Sequence, residues 1–344
     1  MSLQEFLYSR RTKADEINTH TRIGDRELGI YGGSYCIPDT DKEAFYRIYH
    51  QHVFVSNQLE YLTEKQLEIG PLAIDIDFRY KKEERIYNQD HIVDFVDMVC
   101  TELYKMFHIE NNFPIYVFEK PKINIEPSEI KDGIHFIVGI AMDRTMRLMM
   151  RNAILKRIHS VWEELKLGLT NEWEAVLDEG VMLGKIVWQL YGSRKPGKMA
   201  YKLSHIYECR KDEDGQYELG YQSGSSFPLK LNLYKLSVQY TGYEAPVLQE
   251  GRITEYEELK QVKKPKVKVV PQEEEAVVEY TDIRNMATLD KMLIKLIGNS
   301  NSDVRAEDYK LREIHQYTMI LPETYYGRGS FDKWVRVGLS LIHI

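Results

Sequence analysis

Residues 72–80 read LAIDIDFRY, and the alternation in that stretch decides the fold around it. Side chains alternate along a strand, so Leu72, Ile74, Ile76 and Phe78 face one side while Asp75, Asp77 and Arg79 face the other. The apolar side needs a core, which places the strand in a sheet covered on that face. The two aspartates then lie about 7 Å apart along the strand and repel each other. A divalent cation between them would offset the repulsion, and so would salt bridges to Arg79 and to basic residues from elsewhere. The pattern alone leaves both open, since a solvated strand face with an arginine neighbour also reads Asp-x-Asp.

Working outward, DHIVDFVDMVCTELYKMF (90–107) sets Ile92, Phe95, Val96, Val99 and Leu103 at helical spacing and predicts an amphipathic helix on the sheet. FPIYVFEKP (113–121) reads as a strand and NIEPSE (124–129) as a loop. GIHFIVGI (133–140) reads as a second strand, with Ile134, Phe136, Val138 and Ile140 on one face and His135 on the other. A long helix is expected over 143–166 and a strand over 200–210, while the first seventy residues read as an α/β lead-in with a helix in DKEAFYRIYHQHVF (41–54). The fold class is therefore α+β, with a catalytic-size domain over 1–250. LKQVKKPKVKVVPQEEEAVVEY (259–280) has a lysine block followed by a glutamate block and no apolar face, which predicts a charged linker over 251–280. Residues 281–344 return to helical spacing and end without a stop signal, as expected of a chain that continues in a longer protein.

Composition narrows the function. With 344 residues and 43% apolar content the chain can bury a large core, and its formal charge of -7 confines any nucleic-acid binding to local basic patches. Cys36, Cys100 and Cys209 form no Cys-x-x-Cys pair, which speaks against zinc sites and a disulfide framework and for a reducing compartment. There is no apolar run of membrane-spanning length and no signal-peptide pattern at the N-terminus, so neither a membrane nor secretion is expected.

Three further stretches carry chemistry. Asp178, in VLDEGV (176–181), is a candidate third carboxylate, although a lone Asp there is more often a turn or cap residue. His135 is more often structural than functional when it stands alone. LYGSRKPGK (190–198) supplies a small-residue turn with Ser193, Arg194, Lys195 and Lys198, suited to phosphate contacts. Gly192–Lys198 also fits the first positions of a P-loop, but Met199 stands where magnesium needs Ser or Thr and a strand follows, so that reading is set aside.

In order, LAIDIDFRY, KDGIHFIV, VLDEGV and YGSRKPG resemble the motif series of the archaeo-eukaryotic primase superfamily. The likeness is to the primase domain at the N-terminus of poxvirus-type helicase-primases of nucleocytoplasmic large DNA viruses. It implies a primase fold with an RNA-recognition-motif-like catalytic sheet and a small C-terminal helical module, matched by Phe331, Trp334 and Gly338. It further implies that Asp75, Asp77 and Asp178 hold two divalent ions, Mg²⁺ or Mn²⁺. His135, following Gly133 and Ile134, contacts the triphosphate with Ser193 and Lys195, and Arg194, Arg79, Lys131 and Lys198 rank second for phosphate or template. Implied partners are a single-stranded DNA template, NTP or dNTP, and a superfamily 3 helicase domain C-terminal to this chain, working inside the host cell where viral DNA is replicated. Where many relatives place arginines after the third acid, this sequence has Lys185, Trp188 and Gln189, which leaves open the cation that steadies the triphosphate. A two-metal nuclease and a DNA-binding platform without catalysis are the competing readings.

Overall fold

A computed structural model of the chain describes residues 1–262, except 14–15, 163–167 and 212–215. The chain divides into Met1–Pro265 and Lys266–Ile344. The second unit, with the expected helical module and the rest of the expected linker, lies outside the described residues.

The aspartate strand spans Gly70–Tyr80 and alternates as its sequence requires, with Asp75, Asp77 and Arg79 partly exposed and Leu72, Ile74, Ile76 and Phe78 fully buried. Each of those apolar side chains contributes about 1.5–3 kcal/mol on leaving water. They meet a helix over Gln89–Met106, started by Asn88, whose side chain accepts the His91 N–H, and a second helix from Arg144 to Trp162. The expected set Ile92, Phe95, Val96, Val99 and Leu103 is buried between them.

All pairings in the larger sheet are antiparallel. The aspartate strand pairs with the histidine strand Ile130–Met142, which pairs with Phe113–Glu119, then Lys202–Lys211, then Tyr217–Ser223. Strand, helix, strand, strand, helix and strand follow in the expected chain order. One feature departs from an RNA-recognition-motif sheet, in which the fourth strand lies beside the first. Here Lys202–Lys211 joins beside Phe113–Glu119, so the aspartate strand is left at an edge.

That edge is sealed without a strand. Leu177 bridges Ile76 and Leu169 bridges Tyr80, while the Asn171 side chain accepts from the Arg79 N–H and donates to the Asp77 carbonyl. Covering the row of unpaired backbone groups removes a template for aggregation.

The first seventy residues contribute four strands of a separate five-stranded antiparallel sheet, and Trp188–Gln189 adds the fifth: Arg11–Thr12, Gly33–Tyr35, His20–Arg22, Leu62–Glu64 and Trp188–Gln189 in that order. A helix over Asp39–His50 packs on it, with Asp39 and Asp41 in its first turn and Arg47 and His50 in its last, as the helix dipole favours. Residues Ile253–Val262, inside the stretch expected as linker, instead form a helix. Tyr256 and Leu259 pack on the core and the Tyr256 hydroxyl donates to Asp143 at 2.6 Å. The lysine-rich run that follows masked this apolar pair in the sequence. Among the described residues no helix is long and apolar enough to cross a membrane.

Candidate active site

Register brings the first motifs together. Asp75 lies opposite His135, Asp77 opposite Gly133 and Arg79 opposite Lys131. Asp75, Asp77 and His135 share the sheet face turned away from the two long helices. Gly133 is required by close approach: a Cβ there would stand 2.8 Å from the Ile76 carbonyl oxygen and 3.0 Å from the Tyr201 hydroxyl. A small residue two before the histidine is thus what lets the two strands and Tyr201 close over the site.

Asp178 is brought beside this pair from a turn. Its N–H donates to the Asp75 carbonyl at 3.1 Å, and one carboxylate oxygen accepts the Val181 N–H at 2.9 Å, capping the short helix Glu179–Met182. Arg151, from the long helix, donates to the Leu177 carbonyl at 3.1 Å and fixes that turn. Burial, and then the charges of Asp77 and Asp178, push the Asp75 carboxyl up to about 7; the charges of Lys195 and Lys120 pull the other way. Burial also raises Asp77, against Arg79 and three lysines.

His135 is held neutral: burial lowers its pKa far below the usual imidazole value, and the Lys120 and Lys195 charges add to this. Its Nε2 lies 3.4 Å from the Asp75 Oδ1. With the ring neutral this is a polar contact and not an ion pair. The ring stacks on Tyr201 with centroids 3.6 Å apart and meets Trp188 at 4.4 Å. Trp188 comes from the small sheet, so the site straddles both sheets.

The remaining sequence candidates divide. Lys195 is exposed, and no carboxylate lies within ion-pair distance among the described residues. Ser193 lines a small cavity with His135, Trp188 and Tyr201, but its hydroxyl is engaged in the small lobe. It is buried, its hydroxyl within 2.8 Å of the Tyr49 hydroxyl and accepting the Leu62 N–H at 3.2 Å, so both its hydrogen-bonding directions are spent inside the small lobe. Arg194 is tied by its N–H to the Glu60 carbonyl. Arg79 approaches Asp77 at 3.7 Å and Glu129 at 3.4 Å, while Lys131 pairs with Glu126 at 2.7 Å and Lys198 with Glu126 at 3.3 Å. These three cations form a network along the outer end of the strands, which stiffens the rim but leaves less charge for phosphate. Lys202–Lys211 follows the turn as a strand, in agreement with setting the P-loop aside.

Sequence reading missed Lys120. It follows the strand Phe113–Glu119 in the same alternation as Tyr116 and Phe118, and Phe118 lies opposite His135, so strand parity pointed to it. Its ammonium sits over the Tyr201 ring, 4.9 Å from the centroid, and its charge acts on Asp75, Asp77 and His135. No carboxylate pairs with it within ion-pair distance among the described residues. Burial lowers its pKa, and Asp75 and Asp77 oppose this. Tyr201 was likewise read only as part of a strand.

This arrangement of paired aspartates, a stacked neutral histidine and unpaired lysines lies within residues 25–207, which match the family described as the C962R protein N-terminal AEP domain. The chain belongs to the archaeo-eukaryotic primase family. A protein of Acanthamoeba polyphaga mimivirus, L207/L206, which carries a helicase name, is 33% identical over 190 residues. The match covers 54% of this chain and 20% of that relative, so the chain spans a small part of the relative's length.

The donor set suits a hard divalent cation such as Mg²⁺ or Mn²⁺. Asp75 and Asp77 supply carboxylate oxygens on one partly exposed face, and burial first, then the charges of Asp77 and Asp178, raise the Asp75 carboxyl, so added positive charge there would be favourable. Among the described residues no three His, Cys, Asp or Glu side chains already converge as a ligand group. Asp75 and Asp77 therefore form the primary donor pair. Asp178 keeps one carboxylate oxygen outside its cap, since only Oδ1 accepts the Val181 N–H.

Proposed function

We propose that this chain is the primase part of a viral helicase-primase, joining nucleotides on a single-stranded DNA template inside the host cell. The observation that carries this is the convergence of Asp75, Asp77 and His135 on one sheet face with Lys120 and Lys195, two cations that have no carboxylate within ion-pair distance among the described residues. A structural ion-pair face would neutralise its lysines internally, whereas a site that takes up a triphosphate holds them ready.

Asp75, Asp77 and Asp178 would hold two divalent ions, Mg²⁺ or Mn²⁺, which supply activation of a hydroxyl nucleophile and neutralisation of phosphate charge. Lys195 and Lys120 bind the triphosphate of an NTP or dNTP, and Lys120 takes the place of the arginines missing after the third acid. His135, kept neutral by its surroundings and fixed by Tyr201, donates one ring N–H to a phosphate oxygen without adding charge. Trp188 and Tyr201 keep water from the back of the imidazole. Ser193 acts by shaping the turn that presents Lys195. The helicase name of the mimivirus relative supports a helicase as partner, and the proposal takes it to be a superfamily 3 domain of the full-length protein.

The test is primer synthesis by the full chain on circular single-stranded DNA with labelled nucleotides, Mg²⁺ or Mn²⁺ and no supplied primer. Wild type makes short labelled products, and Asp75→Asn/Asp77→Asn makes none while binding DNA as well as wild type. Cut DNA without nucleotide use would point to the nuclease reading, and DNA binding with no products in wild type to a platform for the helicase.

A further inference from the structure

A cavity of about 930 Å³ lies in the small lobe, away from the carboxylates, between the helix Asp39–His50 with its continuation Gln51–Val55 and the segment around 230–241. That volume is at the upper end for a ligand site. Tyr46 is buried at its floor, and Tyr234 and Tyr240 line the opposite wall with ring centroids 5.2 Å apart. Arg47 and Lys230 stand exposed on its lips, and neither has a carboxylate within ion-pair distance among the described residues. Lys42 is held by Asp39 at 2.7 Å and by the Gln239 carbonyl at 3.0 Å, and Glu43 is the one carboxylate in the lining.

In a chain whose formal charge is -7, a groove that joins tyrosine faces to unpaired cations has the composition of a single-strand track. Every base has a π face that a tyrosine can stack on, and the phosphates need cations that are not already paired. The helix that lines the groove also touches the turn beside the candidate active site. It carries Tyr49, whose hydroxyl donates to the Tyr191 carbonyl at 2.9 Å and meets Ser193 at 2.8 Å, and Phe54 stacks on Tyr191 at 5.5 Å. The same helix therefore lines the groove and braces the turn that presents Lys195.

We infer that this groove binds single-stranded nucleic acid in a sequence-independent manner, with Arg47 and Lys230 on phosphates and Tyr234 and Tyr240 as stacking faces. It deepens the primase reading by supplying a path for the template, and rests on that reading for the identity of the strand. The test uses the full chain, fluorescein-labelled oligothymidylate and anisotropy titrations across a salt series, with nucleotide binding and primer synthesis measured on the same proteins. Arg47→Glu/Lys230→Glu should weaken binding more than tenfold and reduce the salt slope by about 1.4, at ~0.7 per lost phosphate contact. Tyr234→Ala/Tyr240→Ala should weaken binding by about tenfold or more with the slope unchanged, since stacking is not electrostatic. Nucleotide binding at the Asp75 site should be retained in both. If wild type binds the oligonucleotide and makes primers, yet both variants bind with unchanged affinity and slope, the groove inference falls and the primase reading stands. If the variants keep DNA affinity but expose residues 263–344 to protease, the groove holds that segment and the inference is overturned. A wild type that neither binds nor synthesises removes both.

Discussion

Gly133→Ala tests whether the site depends on how closely two strands approach. The added Cβ would sit 2.8 Å from the Ile76 carbonyl oxygen, where ordinary contact begins at 3.4 Å, and that oxygen is backbone and cannot swing aside. The strands must open by roughly 0.6 Å at the point where Asp75, Asp77 and His135 are held, and a misplacement of 1 Å costs about a hundredfold in rate. Scaling the barrier linearly gives about a tenfold loss of primer synthesis per folded molecule, together with ~1–3 kcal/mol of stability from overpacking. Gly139→Ala is the matched control. It lies further along the same strand, and its Cβ would meet Pro114 at 2.7 Å and Tyr243 at 2.9 Å, away from the carboxylates. Urea unfolding and initial rates on both variants decide the matter: comparable destabilisation is expected, with activity lost only at position 133. Equal activity in the two variants, at comparable destabilisation, would refute the idea that strand spacing sets the site.

Lys120→Met should raise the nucleotide Kd by about ten- to a hundredfold, the value of a charged hydrogen bond, with Lys120→Arg recovering part of it; unchanged nucleotide binding would reduce Lys120 to a counter-charge for the aspartates. Ser193→Ala should cost about 1–2 kcal/mol in urea unfolding, because the Leu62 N–H loses its acceptor and the Tyr49 hydroxyl a partner, while the rate per folded molecule stays within about twofold; a large loss of nucleotide affinity would return the hydroxyl to the phosphate site. Burial raises the Glu64 carboxyl from 4.5 to about 7 despite hydrogen bonds from Ser237 and the Val238 N–H. Because the folded value is the higher one, its favourable share of stability is complete below about pH 4.5 and is lost as pH rises through 7, by about 3 kcal/mol at most. Glu64→Gln should therefore match wild type near pH 4.5 and exceed it above pH 8 in urea unfolding, and a difference independent of pH would contradict the assignment.

Much of the fold was legible because period carries it. The parity of residues 72–80 set the buried and polar faces, the spacing of Ile92, Phe95, Val96, Val99 and Leu103 set a helix face, and His135 fell on the aspartates' side by alternation alone. What periodicity cannot convey is which edges meet. The place of Lys202–Lys211 beside Phe113–Glu119 depends on the loops, not on the strand's own pattern. Ser193 sits in a phosphate-binding kind of turn, yet its hydroxyl is claimed by Tyr49, 144 residues earlier in the chain. Asp178 satisfied both readings at once, as a helix cap and as a neighbour of Asp75. Lys120 was visible to strand parity, but a lysine after a strand is ordinary until Tyr201 and His135 are folded against it.

Asp75, Asp77 and His135 stand on one sheet, while Trp188 comes from the other and Lys195 from the turn beyond it, which is braced by Tyr49. Neither sheet alone owns the site. Dissection of the gene into single-lobe fragments would thus leave no graded remnant of function, since one piece would keep the carboxylates and the other the turn with its lysine. Each lobe supplies groups that the other lacks, so the site is a property of their junction.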